Sequence, residues 1–293
     1  MRLKADLTLL VISIIWGAAF VAQRVAGQMG GVYYFNGARY FLAALVVLPF
    51  IRRPSLPSPA QWLWMSIAGL LLFIASALQQ AGMVYTSAGN AGFITSLYVV
   101  LIPVLLFFFW KEKPHWLSVV AVATALLGAF LLSTNGRFAL QPGDLLEFIG
   151  ALFWAIHVIL LGKFASQFEP ISFSVGQLAL CGLLNLGAGF FLERPMPLNA
   201  ELLTAIAFTA VFSLGLGYTL QVWAQRHSPP ADAALILSLE AVFAVLSGWL
   251  LLNETLAPVQ ILGCVLIFSA VLLSQFKEWT NSKIDREHLI EGR

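Results

Sequence analysis

Charged side chains are scarce in this chain of 293 residues: Asp, Glu, Lys and Arg make up 10%, whereas hydrophobic residues make up 60%. A soluble domain usually carries about a quarter charged residues, and a water-soluble core cannot absorb an apolar excess spread so evenly. The composition therefore excludes an ordinary soluble domain and predicts several membrane spans. The net charge of +2 is also too small to indicate a nucleic-acid partner.

Several chemical motifs are missing as well. The two cysteines, Cys181 and Cys264, lie within apolar runs, which indicates small core residues rather than a disulfide framework or a metal site. No cysteine or carboxylate stands at metal-ligand spacing, so we expect no metal and no other cofactor. The P-loop, G-x-S-x-G and H-E-x-x-H patterns are absent from the sequence. A membrane-embedded enzyme is thus disfavoured and stays the alternative from another functional class; a channel would need a filter-like loop, and none is repeated here.

Long apolar runs dominate the sequence. A bilayer core about 30 Å thick needs roughly 20 apolar residues per helix, and ten such runs follow one another along the chain. Their limits are 6–26, 33–51, 61–83, 88–110, 115–133, 144–163, 171–192, 200–223, 231–252 and 258–276. No A-x-A-like cleavage site precedes Arg24, so we expect the first run to be a retained span rather than a signal peptide. The predicted fold class is an all-α membrane protein with ten transmembrane helices.

Basic residues are distributed unevenly between the connections. With the N-terminus inside, ten Lys and Arg residues fall on the cytoplasmic side and three on the other. The cytoplasmic group is Arg2, Lys4, Arg52, Arg53, Lys111, Lys113, Lys163, Arg226, Lys277 and Lys283; the opposite group is Arg24, Arg137 and Arg194. We therefore predict a bacterial-type plasma (inner) membrane protein with both termini in the cytoplasm. The ending "HLIEGR" reads like a protease-recognition sequence added for expression, so residues 281–293 are interpreted as a tail.

The two halves of the chain resemble each other. When the first half is shifted along the sequence by 142 or 138 positions, several of its residues align with similar residues of the second half. The matched pairs include Gln79 and Gln221, Ser96–Leu97 and Ser238–Leu239, Asp6–Leu7 and Asp144–Leu145, and Trp16 and Trp154. Because five spans per half is an odd number, the second half must enter the membrane from the opposite side. This predicts two inverted-topology repeats, 1–136 and 137–280, an arrangement that many secondary transporters share.

Four short motifs follow one another in a recognisable order. They are "WGAAF" with Trp16, "GARYFLAAL" with Arg39, a span with Pro103 that is followed by Glu112, and "LEAVFAVLSGWLLLNETL" with Glu240 and Glu254. In order and spacing they resemble the drug/metabolite transporter superfamily and its EamA family of ten-helix carriers, and within it most of all the YddG-type amino-acid exporters. The sequence departs from the family at Ala241, where members often carry proline. The resemblance implies a basket of ten helices around a central cavity, and efflux of small metabolites such as amino acids.

Glu240 is the only charged residue between Asp232 and Glu254. Nine residues from the cytoplasmic start of its span, at about 1.5 Å each, place it about 13 Å deep, near the middle of the membrane. A charge there costs several kcal/mol unless it faces a cavity or a partner, and Arg39 and His157 lie at suitable depths. Glu240 is therefore either a structural carboxylate that fixes helix packing or a cavity group that binds a cationic amine or a proton.

Other polar and aromatic residues inside the spans are candidates for a substrate site. Arg39 either receives a substrate carboxylate through paired hydrogen bonds or is a structural arginine that snorkels to the membrane surface or pairs internally. A histidine on an apolar face, such as His157, is more often a satisfied core residue than a ligand. Residues related by the repeat approach the pseudo-symmetry axis, where a midplane substrate site is expected, although tryptophans also pack between helices. The predicted substrate-binding residues are Trp16, Arg39, Gln79, Tyr98, Trp154, His157, Tyr218, Gln221 and Glu240.

These features together predict a secondary transporter rather than an enzyme. We expect a monomer in the lipid bilayer that exports aromatic or other neutral amino acids by alternating access, with a proton as a possible coupling ion. Alternatives within the same superfamily are a drug or multidrug exporter and a sugar-phosphate-type exchanger. Phosphate recognition normally calls for several buried basic residues, whereas only Arg39 lies well inside a span.

Overall fold

The computed structural model of the chain describes residues 1–29, 31–51, 57–86, 88–134, 140–194, 199–252 and 255–291. It describes their side chains except those of residues 25, 28, 88–90, 252 and 276–291. Four residues used above to predict orientation and family lie outside the described residues: Arg52, Arg53, Arg137 and Glu254. The side chains of Lys277 and Lys283 also lie outside the described part.

All regular elements in the described residues are helices. The α-helices are α1 (Arg2–Gln28), α2 (Val32–Val47), α3 (Pro59–Tyr85), α4 (Ala88–Ser96), α5 (Tyr98–Trp110), α6 (Trp116–Thr134), α7 (Asp144–Phe164), α8 (Pro170–Leu192), α9 (Ala200–Phe208), α10 (Gly217–Ala224), α11 (Pro230–Leu237), α12 (Leu239–Leu252) and α13 (Pro258–Glu291). Two 3-10 turns, Leu48–Phe50 and Ala165–Gln167, follow α2 and α7, and a π-helical segment, Thr209–Leu216, joins α9 to α10.

Nine helical segments of the described residues are long and apolar enough to cross a membrane. They are Arg2–Arg24, Pro59–Tyr85, Ala91–Trp110, Trp116–Thr134, Asp144–Gln167, Pro170–Leu192, Ala200–Ala224, Pro230–Leu251 and Pro258–Gln275. The remaining expected span, 33–51, contains α2, which has 16 residues. At about 1.5 Å per residue α2 covers roughly 24 Å of a core about 30 Å thick. A multi-pass membrane protein is thus confirmed, and the count of ten spans stays a prediction.

Two of these segments break within one residue of matched positions. Leu97 separates α4 from α5, and Ser238 separates α11 from α12. At both breaks a serine hydroxyl donates to the carbonyl oxygen three residues earlier, Ser96 to Phe93 at 2.6 Å and Ser238 to Leu235 at 2.7 Å. Such side-chain bonds compete with the helical backbone. The second helix therefore breaks although Ala241 stands where the family often has proline.

The most extensive packing joins helices of the first half to helices of the second. It joins α6 to α13, α2 to α8, α3 to α7 and α1 to α12. Glycines permit close approaches between these helices: a Cβ atom at Gly263 of α13 would lie 2.6 Å from the carbonyl oxygen of Gly128 of α6. Small residues let helix backbones approach closely in membranes.

The neighbours of α7 define the two ends of the helix bundle. Gly143, just before α7, lies against the backbone of Thr86 at the end of α3. Gly162, near the other end of α7, lies against the ring of Pro230 at the start of α11. We call these the Thr86 end and the Pro230 end.

Equivalent hydrogen bonds tie the first helix of each half at opposite ends. At the Pro230 end, Ser228 Oγ donates to Asp6 Oδ1 of α1 at 3.2 Å. At the Thr86 end, Thr86 Oγ1 donates to Asp144 Oδ1 of α7. The two aspartates are 138 positions apart, and Ser228 follows Thr86 by 142. The first helices of the two halves, α1 and α7, therefore begin at opposite ends of the bundle.

Candidate functional site

A cavity of about 70 Å³ lies between the helices of the two halves, and it offers room for a few water molecules. Its walls come from α1, α2, α3, α7, α10, the π-helical segment and the two helix breaks. All nine residues predicted as substrate-binding line it: Trp16, Arg39, Gln79, Tyr98, Trp154, His157, Tyr218, Gln221 and Glu240. The other lining residues are Phe20, Gln23, Tyr40, Thr95, Val158, Ser213, Leu214 and Leu237.

Glu240 lies two residues after the break at Ser238 and is 8% exposed. Its Oε1 accepts a hydrogen bond from Tyr98 Oη at 3.2 Å. Tyr98 follows the other break and is 142 positions earlier, so a residue and its repeat counterpart meet in the cavity. The expectation that Arg39 or His157 would be the partner of Glu240 is wrong, because the two breaks bring Tyr98 into that place.

Arg39 is buried on α2 at 2% exposure, so it does not snorkel to the membrane surface, whereas the interpretation that it pairs internally agrees with its hydrogen bonds. Its Nε and Nη2 donate to Asn36 Oδ1, one helical turn earlier, at 3.1 and 2.8 Å. The guanidinium carbon lies 4.8 Å from the ring centroid of Phe35 and 5.4 Å from that of Tyr40. Among the described residues no carboxylate pairs with Arg39. The cavity wall therefore holds a guanidinium whose partners are an amide oxygen and two aromatic rings.

Aromatic rings around Tyr218 form one side of the cavity. The ring centroid of Tyr218 lies 5.3 Å from that of Trp16, 5.8 Å from His157, 6.3 Å from Tyr40 and 6.5 Å from Trp154. The Trp154 and Tyr218 rings are stacked with planes 18° apart. These distances are in the range in which aromatic pairs stabilise one another. The result is a rigid, largely apolar wall with polar edges.

Several polar atoms of this wall remain available. Trp16 Nε1 donates to the carbonyl oxygen of Ser213 in the π-helical segment at 2.8 Å, and His157 Nε2 shares a hydrogen bond with Gln177 Oε1 at 2.9 Å. In contrast, Trp154 Nε1, His157 Nδ1 and Gln221 Oε1 are buried with no hydrogen-bond partner in the described part of the chain. Buried polar groups normally have partners, so we expect water or a solute in the cavity to satisfy these atoms.

The structure adds residues that the sequence analysis missed. Gln79 Nε2 donates to Thr95 Oγ1 at 3.1 Å, and Thr95 Oγ1 donates to Glu147 Oε2 at 3.2 Å. Glu147 is 1% exposed. Glu147 stands three residues after Asp144 at the start of a span, where an acidic residue is ordinary, so its position alone did not indicate a buried site. The apolar residues on both sides of Glu147 were the sequence feature that indicated burial. Thr95 and Tyr40 carry no charge and do not belong to the matched pairs of the repeat, so neither property pointed to them.

Comparison with known proteins agrees with this architecture. The sequence profile described as the EamA-like transporter family matches residues 3–134 and, again, residues 141–276. An uncharacterized transporter of Archaeoglobus fulgidus is 32% identical over 272 residues, covering 93% of this chain and 86% of its own. The uncharacterized inner membrane transporter YedA of Escherichia coli is 27% identical over 286 residues, covering 91% and 89%.

A solved crystal structure shows the same fold. Its chain has a TM-score of 0.76 with this one at 18% sequence identity, over 94% of this chain and 98% of its own. Family and relatives point to transport of small molecules across a membrane rather than to catalysis. Because the family profile matches twice and the two matches cover most of the chain, the chain belongs to the EamA-like transporter family.

Proposed function

We propose that this transporter exports neutral amino acids, aromatic ones included, by alternating access. The observation that carries the proposal is that one aromatic-walled cavity holds a buried carboxylate and a guanidinium with no carboxylate partner among the described residues. Arg39 suits the substrate carboxylate, Glu240 suits its ammonium group, and the rings around Tyr218 suit its side chain. An amino-acid zwitterion offers all three groups at once.

Charge balance supports this pairing. A buried cation without an anion costs several kcal/mol, because desolvation is not offset, and Arg39 is in that situation among the described residues. A bound carboxylate removes the imbalance. Glu240 accepts one hydrogen bond, from Tyr98, whereas a carboxylate has about four acceptor positions, so it retains capacity for an ammonium group.

The matched geometry of the two halves supports the inverted repeats. The helix breaks at Leu97 and Ser238 lie within one residue of matched positions, and α1 and α7 begin at opposite ends of the bundle. Helices related in this way have two near-equivalent arrangements, one open to each side of the membrane. We therefore propose repeats 1–136 and 137–280 and, with the positive-inside orientation, the Pro230 end in the cytoplasm of a bacterial-type cell. The Escherichia coli relative, an inner membrane transporter by name, supports that placement.

Closure at both ends supports alternating access. The hydrogen bonds Ser228–Asp6 at the Pro230 end and Thr86–Asp144 at the Thr86 end are both formed. Because the cavity has room for only a few water molecules, helices must separate at one end to admit an amino acid. Since residues of a single chain form the whole cavity, we propose a monomer as the transporting unit, and a proton as the coupling ion.

Transport by purified protein in lipid vesicles tests the substrate. We expect saturable counterflow of labelled tryptophan and leucine, with tryptamine and indole-3-propionate at least tenfold weaker competitors. Each of these analogues lacks one charged group, and a hydrogen bond to a charged group contributes about 1.5–3 kcal/mol. Equal competition by tryptamine would favour the drug-exporter alternative, and equal competition by a sugar phosphate would favour the exchanger.

Two variants that each remove one charge test the residues. Arg39→Gln should abolish the preference for tryptophan over tryptamine, and Glu240→Gln should abolish the preference over indole-3-propionate. Lys113→Gln and Glu201→Gln change exposed residues that do not line the cavity, so they serve as matched controls. If Arg39→Gln and Glu240→Gln keep the same preference for tryptophan over its two analogues as these controls, the assignment of the site is wrong.

A further inference from the structure

A second buried carboxyl group, Glu147, lies next to the cavity but does not line it. It is on α7, about 5 Å along the helix from Asp144 at the Thr86 end. Gly82 of α3 makes room for it, because a Cβ atom there would lie 2.8 Å from Glu147 Cγ and 2.8 Å from its Oε1. The side chain is thus enclosed between two helices near one end of the bundle.

A chain of hydrogen bonds joins Glu147 to the cavity. Thr95 Oγ1 donates to Glu147 Oε2 and accepts from Gln79 Nε2, and both Thr95 and Gln79 line the cavity. A hydroxyl group donates one hydrogen bond and accepts others, so Thr95 can receive a proton on one side and release one on the other. Thr95 lies three residues before Tyr98, the partner of Glu240. One wall of the cavity therefore contacts the carboxyl groups of both Glu147 and Glu240.

The surroundings of Glu147 hold no compensating cation. Its Oε1 has no hydrogen-bond partner, and no Lys, Arg or His in the described residues pairs with it. Of the elements packed against α7, helices α3 and α4 and the turn Ala165–Gln167 contain no charged or histidine residue.

The titratable groups on the other packed elements are few. Helix α5 contributes Tyr98, and α11 contributes Asp232, which pairs with Arg2. On α7 itself, Asp144 lies one turn before Glu147 and adds negative charge, and His157 and Lys163 lie further along the helix, towards the Pro230 end. A proton on the carboxyl group removes the cost of an isolated buried anion.

We propose that Glu147 is a proton-binding site that exchanges protons with the central cavity through the hydroxyl group of Thr95. Thr95 Oγ1 passes its hydroxyl proton to the Glu147 carboxylate along the hydrogen bond between them and takes a proton from water in the cavity, so the number of protons is conserved. Water at the Thr86 end takes the proton from Glu147 when the helices separate there. The role in coupling rests on the proposed transport function, whereas the binding of a proton by Glu147 does not.

Infrared difference spectroscopy tests the binding without any substrate. Purified protein in lipid is titrated with acid, and the carbonyl stretch of protonated carboxyl groups is recorded. We expect a titrating band that is present in the wild type and in the exposed control Glu201→Gln and lost in Glu147→Gln. Identical spectra of the wild type and Glu147→Gln would overturn the proposal.

Vesicle transport tests the exchange through Thr95. Glu147→Gln should lose pH-gradient-driven leucine accumulation by at least tenfold, while its exchange of leucine at equal pH stays within about threefold of the wild type, which also shows that this variant folds. Because Thr95 lines the cavity, accumulation by Thr95→Val is divided by the exchange rate of the same variant at equal pH, and this ratio should fall at least tenfold below the wild-type ratio. Thr95→Ser restores the hydroxyl and should restore the ratio. A ratio at the wild-type level in Thr95→Val would refute the exchange path. If the wild type transports no amino acid, the proposed function fails, while the infrared titration still decides whether Glu147 binds a proton.

Discussion

The crossing of α6 and α13 gives a quantitative prediction about how the two halves are held together. An alanine Cβ atom at Gly263 would lie 2.6 Å from the carbonyl oxygen of Gly128 and 2.6 Å from the backbone nitrogen of Leu132. Backbone atoms cannot rotate away, so the helices must separate. Overpacking of this kind costs about 1–3 kcal/mol, whereas replacing glycine by alanine inside a helix returns about 1 kcal/mol.

A second glycine separates these two contributions. Gly187 lies within α8, and a Cβ atom there meets nothing within 4 Å. Because Gly187→Ala has the propensity gain without the clash, the difference between the variants isolates the helix contact. We expect Gly263→Ala to have a free energy of unfolding about 1–3 kcal/mol below that of Gly187→Ala, measured by titration with dodecyl sulfate in mixed micelles.

The reciprocal substitution provides an internal check. A Cβ atom at Gly128 would lie 2.8 Å from the carbonyl oxygen of Gly263, so Gly128→Ala should lose a similar amount. If Gly263→Ala and Gly128→Ala both unfold at the same detergent fraction as Gly187→Ala, the close approach of α6 and α13 does not exist in the membrane, and the reasoning is refuted.

Three further predictions follow from individual hydrogen bonds. Glu169→Ala removes the side chain that accepts from two backbone N–H groups at the start of α8 and should lower the free energy of unfolding by about 1 kcal/mol in the same titration; no change would show that the cap is unimportant. Trp16→Phe leaves the Ser213 carbonyl oxygen without its indole donor and should lower the free energy of unfolding by about 1–3 kcal/mol. A variant that unfolds at the same detergent fraction as the wild type would contradict this. Thr86→Ala and Ser228→Ala remove equivalent bonds at opposite ends, each contributing about 1 kcal/mol. The assay places a cysteine at Ser213 and measures its labelling by a thiol reagent that does not cross the membrane. Each variant should speed labelling about fivefold, and only from the side of the membrane where its hydrogen bond was removed. If both variants speed labelling from the same side, alternating access is contradicted.

The sequence identified the class of protein and the residues of one cavity. Low charge and long apolar runs predicted a multi-pass helical membrane protein, because length and hydropathy are local properties of a chain. Repeat shifts and polarity within spans selected Trp16, Gln79, Trp154 and Gln221, and all four line the cavity together with the other predicted residues. Their contact with substrate stays a prediction.

The partners of the charged groups were decided only by the tertiary structure. Depth along a helix placed Arg39 and His157 level with Glu240, but depth says nothing about the direction of a side chain around the helix axis. The breaks at Leu97 and Ser238 set that direction and put Tyr98 on Glu240, while Arg39 bonds to Asn36. A sequence fixes which groups must leave water, whereas the hydrogen bonds that compensate them depend on helix rotation, and rotation is set by packing between distant segments.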